Sequence, residues 1–133
     1  MQISRYFPEE PPETARQTIG LVGIGLVGTA LAENLIGAGF EVVGFARREA
    51  SRVSLARLGG RVVSSARDVA QAAERVILSL PDSDVVDKVV LGPYGLLAAD
   101  PGLRCIVDTT TGEPERTEAL AHQLRERGIA LLD

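Results

Sequence analysis

The 133-residue sequence contains no tryptophan, one cysteine and one histidine, and aromatic residues make up only 4% of it. With Cys105 alone, the chain cannot form an internal disulfide, so we interpret that residue as a small core residue in a strand of a protein from a reducing compartment. Because 45% of the residues are hydrophobic and few of these are aromatic, the core must consist of Leu, Val, Ile and Ala. That composition is usual for a parallel sheet covered by helices on both faces.

Long apolar segments and clusters of basic residues are also missing. The apolar run Ile19–Ala32 spans 14 residues, fewer than the ~17–25 that a membrane-spanning helix needs. The formal net charge of −4 argues against a nucleic-acid surface, and no basic cluster indicates membrane binding. No signal peptide is recognised. We therefore expect a cytoplasmic, single-domain protein without nucleic-acid or membrane partners, and we predict no metal site.

Three glycines, Gly23, Gly25 and Gly28, follow a short apolar segment and precede a helical pattern. In a dinucleotide site the first glycine allows a tight turn, the second lets the backbone approach a pyrophosphate, and the third lets helix and strand pack closely. The helix N-terminus then offers free N–H groups to the phosphates. The alternative is a plain glycine-rich turn. We predict that the whole loop binds the cofactor: Gly23, Ile24, Gly25, Leu26, Val27 and Gly28.

Strand and helix patterns alternate along the rest of the chain. Strands are predicted near 19–23, 41–46, 61–63, 75–80, 104–108 and 129–132, and helices near 26–37, 49–58, 66–73, 83–91 and 114–127. The alternation predicts an α/β, doubly wound Rossmann fold with about six parallel strands in the order 3-2-1-4-5-6 over residues 18–133. Residues 1–17 hold three prolines and are expected to form a flexible tail.

The end of the second predicted strand indicates which cofactor fits. An NAD site usually places Asp or Glu there, about 20 residues after the glycines, to bind the ribose hydroxyls. This sequence has Ala46, Arg47 and Arg48 instead, and a guanidinium suits a 2′-phosphate. We therefore predict NADP, with NAD as the alternative if the arginines only solvate the next helix. The missing carboxylate also argues against a methyltransferase.

These motifs, in this order, resemble the β-hydroxyacid dehydrogenases, a family that includes 3-hydroxyisobutyrate dehydrogenase and 6-phosphogluconate dehydrogenase. The resemblance covers residues 18–133 and includes Arg47, the segment ending in Leu80-Pro81, and Asp108-Thr-Thr-Thr111 followed by Pro114. It implies that Leu80, Pro81, Thr110 and Thr111 belong to the cofactor site. By spacing alone, the threonines could equally cap the helix that begins near Pro114.

The resemblance stops at Asp133, where family members continue into a helical domain with a catalytic lysine. The only lysine here, Lys88, and the only histidine, His122, are interpreted as helix-surface residues, so we predict no catalytic residue. The expected function is the NADP-binding domain of an oxidoreductase that acts on a small β-hydroxyacid or semialdehyde by hydride transfer. We expect it to be inactive alone, with a small carboxylate as substrate of the intact enzyme and a homo-oligomer as one possible state. Alternatives are a non-catalytic nucleotide-binding or sensing module and one half of a split dehydrogenase.

Overall fold

Short apolar segments form the strands, and longer segments with apolar residues three or four positions apart form the helices. A computed structural model of the protein describes residues 18–133, so the tail expected for residues 1–17 lies outside the described part. The strands are β1 (Thr18–Val22), β2 (Glu41–Phe45), β3 (Arg61–Val62), β4 (Arg75–Leu78), β5 (Cys105–Asp108) and β6 (Ala130–Leu132). The helices are α1 (Leu26–Gly37), α2 (Glu49–Arg57), α3 (Ala66–Ala72), α4 (Ser83–Leu91) and α5 (Pro114–Glu126), with a short 3₁₀ helix at Leu96–Ala98.

The strands within residues 18–133 form one six-stranded sheet in the order β3-β2-β1-β4-β5-β6. Every pair of neighbouring strands is parallel. The chain builds one half of the sheet outward from β1 and then returns to its other side to form β4. A reversal of this kind opens a crevice at the carboxyl ends of the two central strands. The predicted Rossmann fold and strand order are confirmed.

Two apolar clusters lie on opposite faces of the sheet, because successive side chains of a strand point to opposite faces. On one face, Leu21 of β1 packs with Ala32 of α1 and Leu55 of α2. On the other face, Val22 of β1 lies in the cluster that contains residues of α3, α4 and α5, among them Val90. Helices therefore cover both faces, which explains why the central strands are apolar at consecutive positions.

Side-chain caps fix the start of two helices. The Ser65 hydroxyl accepts a hydrogen bond of 3.1 Å from the Asp68 N–H, and the Asp82 carboxylate accepts one of 3.0 Å from the Val85 N–H. Each bond satisfies a backbone donor that the helix leaves unpaired. The neighbouring residue Ser83 has a different role, because its hydroxyl accepts the Glu113 N–H at 2.9 Å and so joins the starts of α4 and α5.

Cys105 differs from its sequence interpretation. It lies in β5, as predicted, but it is only half-buried and belongs to neither core cluster. The reason is that α1 and α2 cover the β1–β3 half of their face, and the β4–β6 half is less covered. Among residues 18–133, no helix combines the length and the apolar character needed to span a bilayer.

Candidate dinucleotide-binding site

Gly23 makes the sharp turn between β1 and α1. Its φ of +92° lies in the region that only glycine adopts easily, and an added Cβ would overlap the carbonyl oxygen of Ser79. Its N–H donates a 3.1 Å hydrogen bond to the Phe45 carbonyl. The turn is therefore held between the carboxyl ends of β2 and β4, where the crevice opens.

Gly25 and Gly28 differ in what surrounds them. A Cβ on Gly25 would meet no atom within 4 Å, whereas a Cβ on Gly28 would overlap the carbonyl oxygen of Gly23. Gly28 thus allows close packing of α1 against the turn, and Gly25 leaves open space at the helix start. Gly25 is also the N-cap of α1, with no side-chain cap and no acidic residue in the first turn. The first N–H groups of the helix are available to an anion.

The other residues of this loop have contrasting environments. Ile24 is buried in the cluster beneath α1 and α2, so only its backbone can contact a ligand. Leu26 and Val27 are 91% and 56% exposed. Both are large apolar side chains that lie open to solvent at the start of α1.

A cleft of about 1410 Å³ lies along the carboxyl ends of β1, β2, β3 and β4. Its lining includes eight of the predicted site residues: Gly23, Ile24, Gly25, Ala46, Arg47, Arg48, Leu80 and Pro81. The other five, Leu26, Val27, Gly28, Thr110 and Thr111, do not line it. The glycine turn, the strand-2 arginines and the end of β4 therefore meet in one cavity, although they are far apart in the sequence.

The arginines after β2 are presented by a fixed loop. The Arg52 guanidinium donates hydrogen bonds of 3.1 Å to the carbonyl oxygens of Ala46 and Arg47, and Ala46 is buried. Arg47 and Arg48 are exposed, and neither side chain has a hydrogen bond or ion pair within residues 18–133. Two free guanidiniums thus face the cleft where an NAD site would have a carboxylate.

Threonines at the end of β5 hold the end of β4 in place. The Leu80 N–H donates a 3.1 Å hydrogen bond to the Thr110 hydroxyl, and the Thr110 N–H donates to Asp108 at 2.9 Å. The Thr109 hydroxyl donates to the Leu78 carbonyl at 2.7 Å. Thr110 is buried and Thr111 is exposed. Thr110 therefore positions the Leu80-Pro81 backbone at the cleft, and it does not cap α5, whose N-cap is Glu113.

Four further segments also line the cleft, and the sequence interpretation did not include them. They are Ser64–Asp68 at the start of α3, Val85 with Lys88 and Val89 on α4, Gly92–Tyr94 after α4, and Ser51 on α2. Lys88 is exposed, as predicted, but its helix face points at the cleft. The one signal in the sequence was the spacing of 85, 88 and 89, which places these residues on one side of a helix.

An ionic contact joins α4 to α5 beside the site. The Arg116 guanidinium lies 2.6 Å from Asp84 and 2.5 Å from Asp87 on α4. The hydrogen bonds to Asp87 and Asp84 raise the pKa of Arg116 above its ordinary value. Together with the Ser83–Glu113 hydrogen bond, this contact fixes the start of α4, and with it the cleft-lining face of that helix.

The described part of the chain has neither a cluster of metal ligands nor a histidine in the cleft. Residues 18–133 contain no cluster of three or more His, Cys, Asp or Glu that could hold a metal ion. His122 lies outside the cleft lining, and its ring is 3.4 Å from the Glu126 carboxylate on the surface of α5. The described cleft is thus equipped to bind an anionic ligand and has no histidine to move a proton.

In comparison with known sequences, the whole described part of the chain matches one protein family. Residues 18–133 match the family profile described as the NAD binding domain of 6-phosphogluconate dehydrogenase. The chain is 32% identical over 115 residues to 2-(hydroxymethyl)glutarate dehydrogenase of Eubacterium barkeri, a match that covers 86% of this chain and 38% of that enzyme. It is 33% identical over 115 residues to 3-hydroxyisobutyrate dehydrogenase of Pseudomonas aeruginosa, covering 86% and 39%. The chain therefore spans less than half the length of these relatives.

Solved structures show the same fold. The chain is similar to Mycobacterium tuberculosis 3-hydroxyisobutyrate dehydrogenase with L-serine, with a TM-score of 0.77 and 28% identity over 86% of this chain and 38% of the other. It is also similar to an imine reductase of Myxococcus stipitatus in complex with NADP⁺, with a TM-score of 0.73 and 25% identity over 86% and 39%. A variant of that reductase was solved with NAD⁺. The chain belongs to the NAD-binding domain family of 6-phosphogluconate dehydrogenase and is related to 3-hydroxyisobutyrate dehydrogenase-like oxidoreductases.

Proposed function

We propose that this chain binds NADP in the cleft at the carboxyl ends of β1, β2 and β4. The single observation that carries the proposal is the pair of free arginines, Arg47 and Arg48, on a loop fixed by Arg52. A 2′-phosphate brings two negative charges beside the adenosine ribose, where an NAD site would have a repelling carboxylate. Charged, bidentate guanidiniums stabilise that phosphate and give little to NAD, which carries a hydroxyl there.

The glycine loop fits the pyrophosphate of the same cofactor. Open space at Gly25 and the uncapped start of α1 provide the approach and the N–H donors that a pyrophosphate needs. The backbone of Leu80 and Pro81, held by Thr110, forms the opposite side of the cleft. Each part of the site therefore has a role in holding and orienting the dinucleotide.

We further propose that the chain is the cofactor-binding part of an oxidoreductase acting on a small β-hydroxyacid or its semialdehyde. A bound nicotinamide cofactor donates or accepts the hydride in such a reaction. Support comes from the relatives, which are dehydrogenases of small hydroxyacids by name, and from the L-serine in one solved structure. The substrate of the intact enzyme would be a small carboxylate, and the cytoplasm is the proposed location.

Residues 18–133 are expected to bind the cofactor without turnover. Hydride transfer to a carbonyl needs a proton donor beside the oxygen, and histidine, the most frequent donor, does not line the described cleft. The match also covers only 38% of 2-(hydroxymethyl)glutarate dehydrogenase. More than half of that relative lies outside the match, and its substrate-binding groups can lie there.

Calorimetry with NADPH and NADH tests the proposal directly. We expect NADPH to bind more tightly than NADH and no NADPH oxidation in the presence of a small semialdehyde. No heat of binding at millimolar NADPH would exclude the nucleotide site. Steady oxidation of NADPH would show instead that the chain contains its own proton donor, and a preference for NADH would reverse the assignment of Arg47 and Arg48.

A further inference from the structure

The cleft has a wall that the glycine loop and the strand-2 arginines do not explain. Val85, Lys88 and Val89 on α4 all line it, and their spacing places them on one side of the helix. The two valines make this side of the helix apolar, as expected of a surface that packs against the flat base of a dinucleotide. Lys88 adds a single positive charge on a flexible four-carbon side chain.

Lys88 has two acidic neighbours on its own helix, but an arginine of α5 forms ion pairs with both of them. Asp84, one turn before Lys88, and Asp87, directly before it, both bind Arg116 of α5 at 2.6 and 2.5 Å. The Lys88 side chain has no hydrogen bond or ion pair within residues 18–133. Its charge is therefore available to a ligand in the cleft.

The charges of the cleft lining are strongly unbalanced. Arg47, Arg48, Arg67 and Lys88 face a single carboxylate, that of Asp68. The Arg67 Nε donates to the Ala98 carbonyl at 3.2 Å, which ties this guanidinium to the 3₁₀ helix and leaves its charge unpaired. The lining cations whose side chains make no hydrogen bond or ion pair within residues 18–133 are the two arginines after β2 and the lysine of α4.

We propose that Lys88 is a second specificity-determining residue, which contacts the 2′-phosphate of NADP from α4 while Arg47 contacts it from the β2–α2 loop. This inference rests on the proposed function. It adds that the preference for NADP comes from two elements of the fold on different sides of the cleft. A phosphate with two negative charges and three acceptor oxygens can bind both cations at once, and the hydroxyl of NAD cannot.

Fragments of the cofactor isolate the adenosine end and test the proposal. Adenosine 2′,5′-bisphosphate carries the 2′-phosphate, adenosine 3′,5′-bisphosphate carries the same charge at the neighbouring position, and 5′-AMP lacks it. We expect Lys88→Gln to weaken binding of the 2′,5′-bisphosphate about tenfold, the usual loss for one charged hydrogen bond, and to leave 5′-AMP unchanged. Lys88→Arg, which keeps the charge, should retain most of the affinity.

The controls separate a phosphate contact from general effects. Arg57→Ala removes an exposed positive charge at the end of α2, outside the cleft lining, and should change none of the three affinities. Thermal unfolding of Lys88→Gln should match that of the parent chain, because the side chain is exposed and unpaired. A loss for the 3′,5′-bisphosphate equal to that for the 2′,5′-bisphosphate would show a general charge effect and overturn the assignment.

Other outcomes distinguish this inference from the proposed function. If Arg47→Ala abolishes the preference for the 2′,5′-bisphosphate and Lys88→Gln does not alter it, the NADP site stands and the role of Lys88 is wrong. An equal loss of 5′-AMP in Lys88→Gln would assign the lysine to the base or ribose and also overturn the inference. If the parent chain binds 5′-AMP and the 2′,5′-bisphosphate equally well, both proposals fail together.

Discussion

At the scale of single residues, the glycines of the turn have separable roles, because only some of them lack room for a side chain. Gly28 lies against the carbonyl oxygen of Gly23, whereas Gly25, with φ of −94°, has open space where a Cβ would be. An alanine at 25 can therefore adopt the native backbone, and an alanine at 28 cannot fit without moving the turn. Alanine substitutions at positions 25 and 28 therefore separate an effect on cofactor approach from an effect on packing.

We predict opposite effects for alanine at these two positions. Gly25→Ala should keep the free energy of unfolding within about 1 kcal/mol of the parent and weaken NADPH binding about tenfold or more, since the methyl group blocks the pyrophosphate. Gly28→Ala should lower the free energy of unfolding by about 1–3 kcal/mol through overpacking. Urea unfolding and calorimetry measure the two effects. A destabilised Gly25→Ala with intact NADPH binding would contradict the roles assigned to the loop.

Arg47 gives the second prediction at this scale. Arg47→Ala should weaken NADPH binding by about 1.5–3 kcal/mol, the value of a charge-assisted hydrogen bond, and leave NADH binding nearly unchanged. Because Arg48 is equally free, the double change to alanine is the sharper test and should remove the preference for NADPH. Equal losses for the two cofactors would mean that Arg47 does not contact the 2′-phosphate.

At the scale of elements, the site depends on how the ends of β4 and β5 are held together. Thr110→Val replaces the hydroxyl that accepts the Leu80 N–H with a methyl group of similar size. Thr110 is buried, so the unpaired N–H should cost about 1–3 kcal/mol of folding stability. Thr111→Val, at an exposed position, is the matched control and should have little effect on unfolding. Similar unfolding midpoints for both variants would show that the threonine bond does not hold this edge.

The elements themselves were largely predictable from the sequence. The helices at 26–37 and 83–91 were predicted with the bounds that the structure has, because local apolar spacing and the Asp82 cap determine them. The strand predicted for 75–80 ends earlier, at Leu78. Beyond that point the Leu80 N–H bonds to a threonine side chain in place of a neighbouring strand, and no local pattern contains that information.

The site was predictable only where a local motif defines it. Gly23, Gly25 and Arg47 are predicted as site residues because glycine spacing and the residue type after a strand have known consequences, and all three line the cleft. The sequence predicts Lys88 as a surface residue, and its place in the cleft was missed because it depends on tertiary packing. The α4 helix packs against the 3₁₀ helix and α5, and Arg116 of α5 binds the acidic neighbours of Lys88. Convergence of distant segments depends on the sheet order, which a single helix does not encode.

At the scale of the whole molecule, the two halves of the sheet differ in how well one face is covered. The strand register aligns Ile77 of β4 with Val107 of β5 and Leu132 of β6. Ile77 packs at the edge of the cluster beneath α1 and α2, Val107 is half-buried, and Leu132 is 56% exposed. The row is thus increasingly exposed toward β6, which is also an edge strand of the sheet.

An exposed apolar row beside an open strand edge favours contact with another chain. We therefore predict that the protein self-associates through β6 as its concentration rises, or that β6 frays where no partner binds. Sedimentation measures the first outcome and amide exchange at Ala130 and Leu131 the second. Leu132→Lys should lower self-association without destabilising the fold, whereas Leu91→Lys, at a leucine 46% exposed on α4, should not. A strict monomer at high concentration with strongly protected β6 amides would show that the sheet protects this edge by itself, with no need of a second chain.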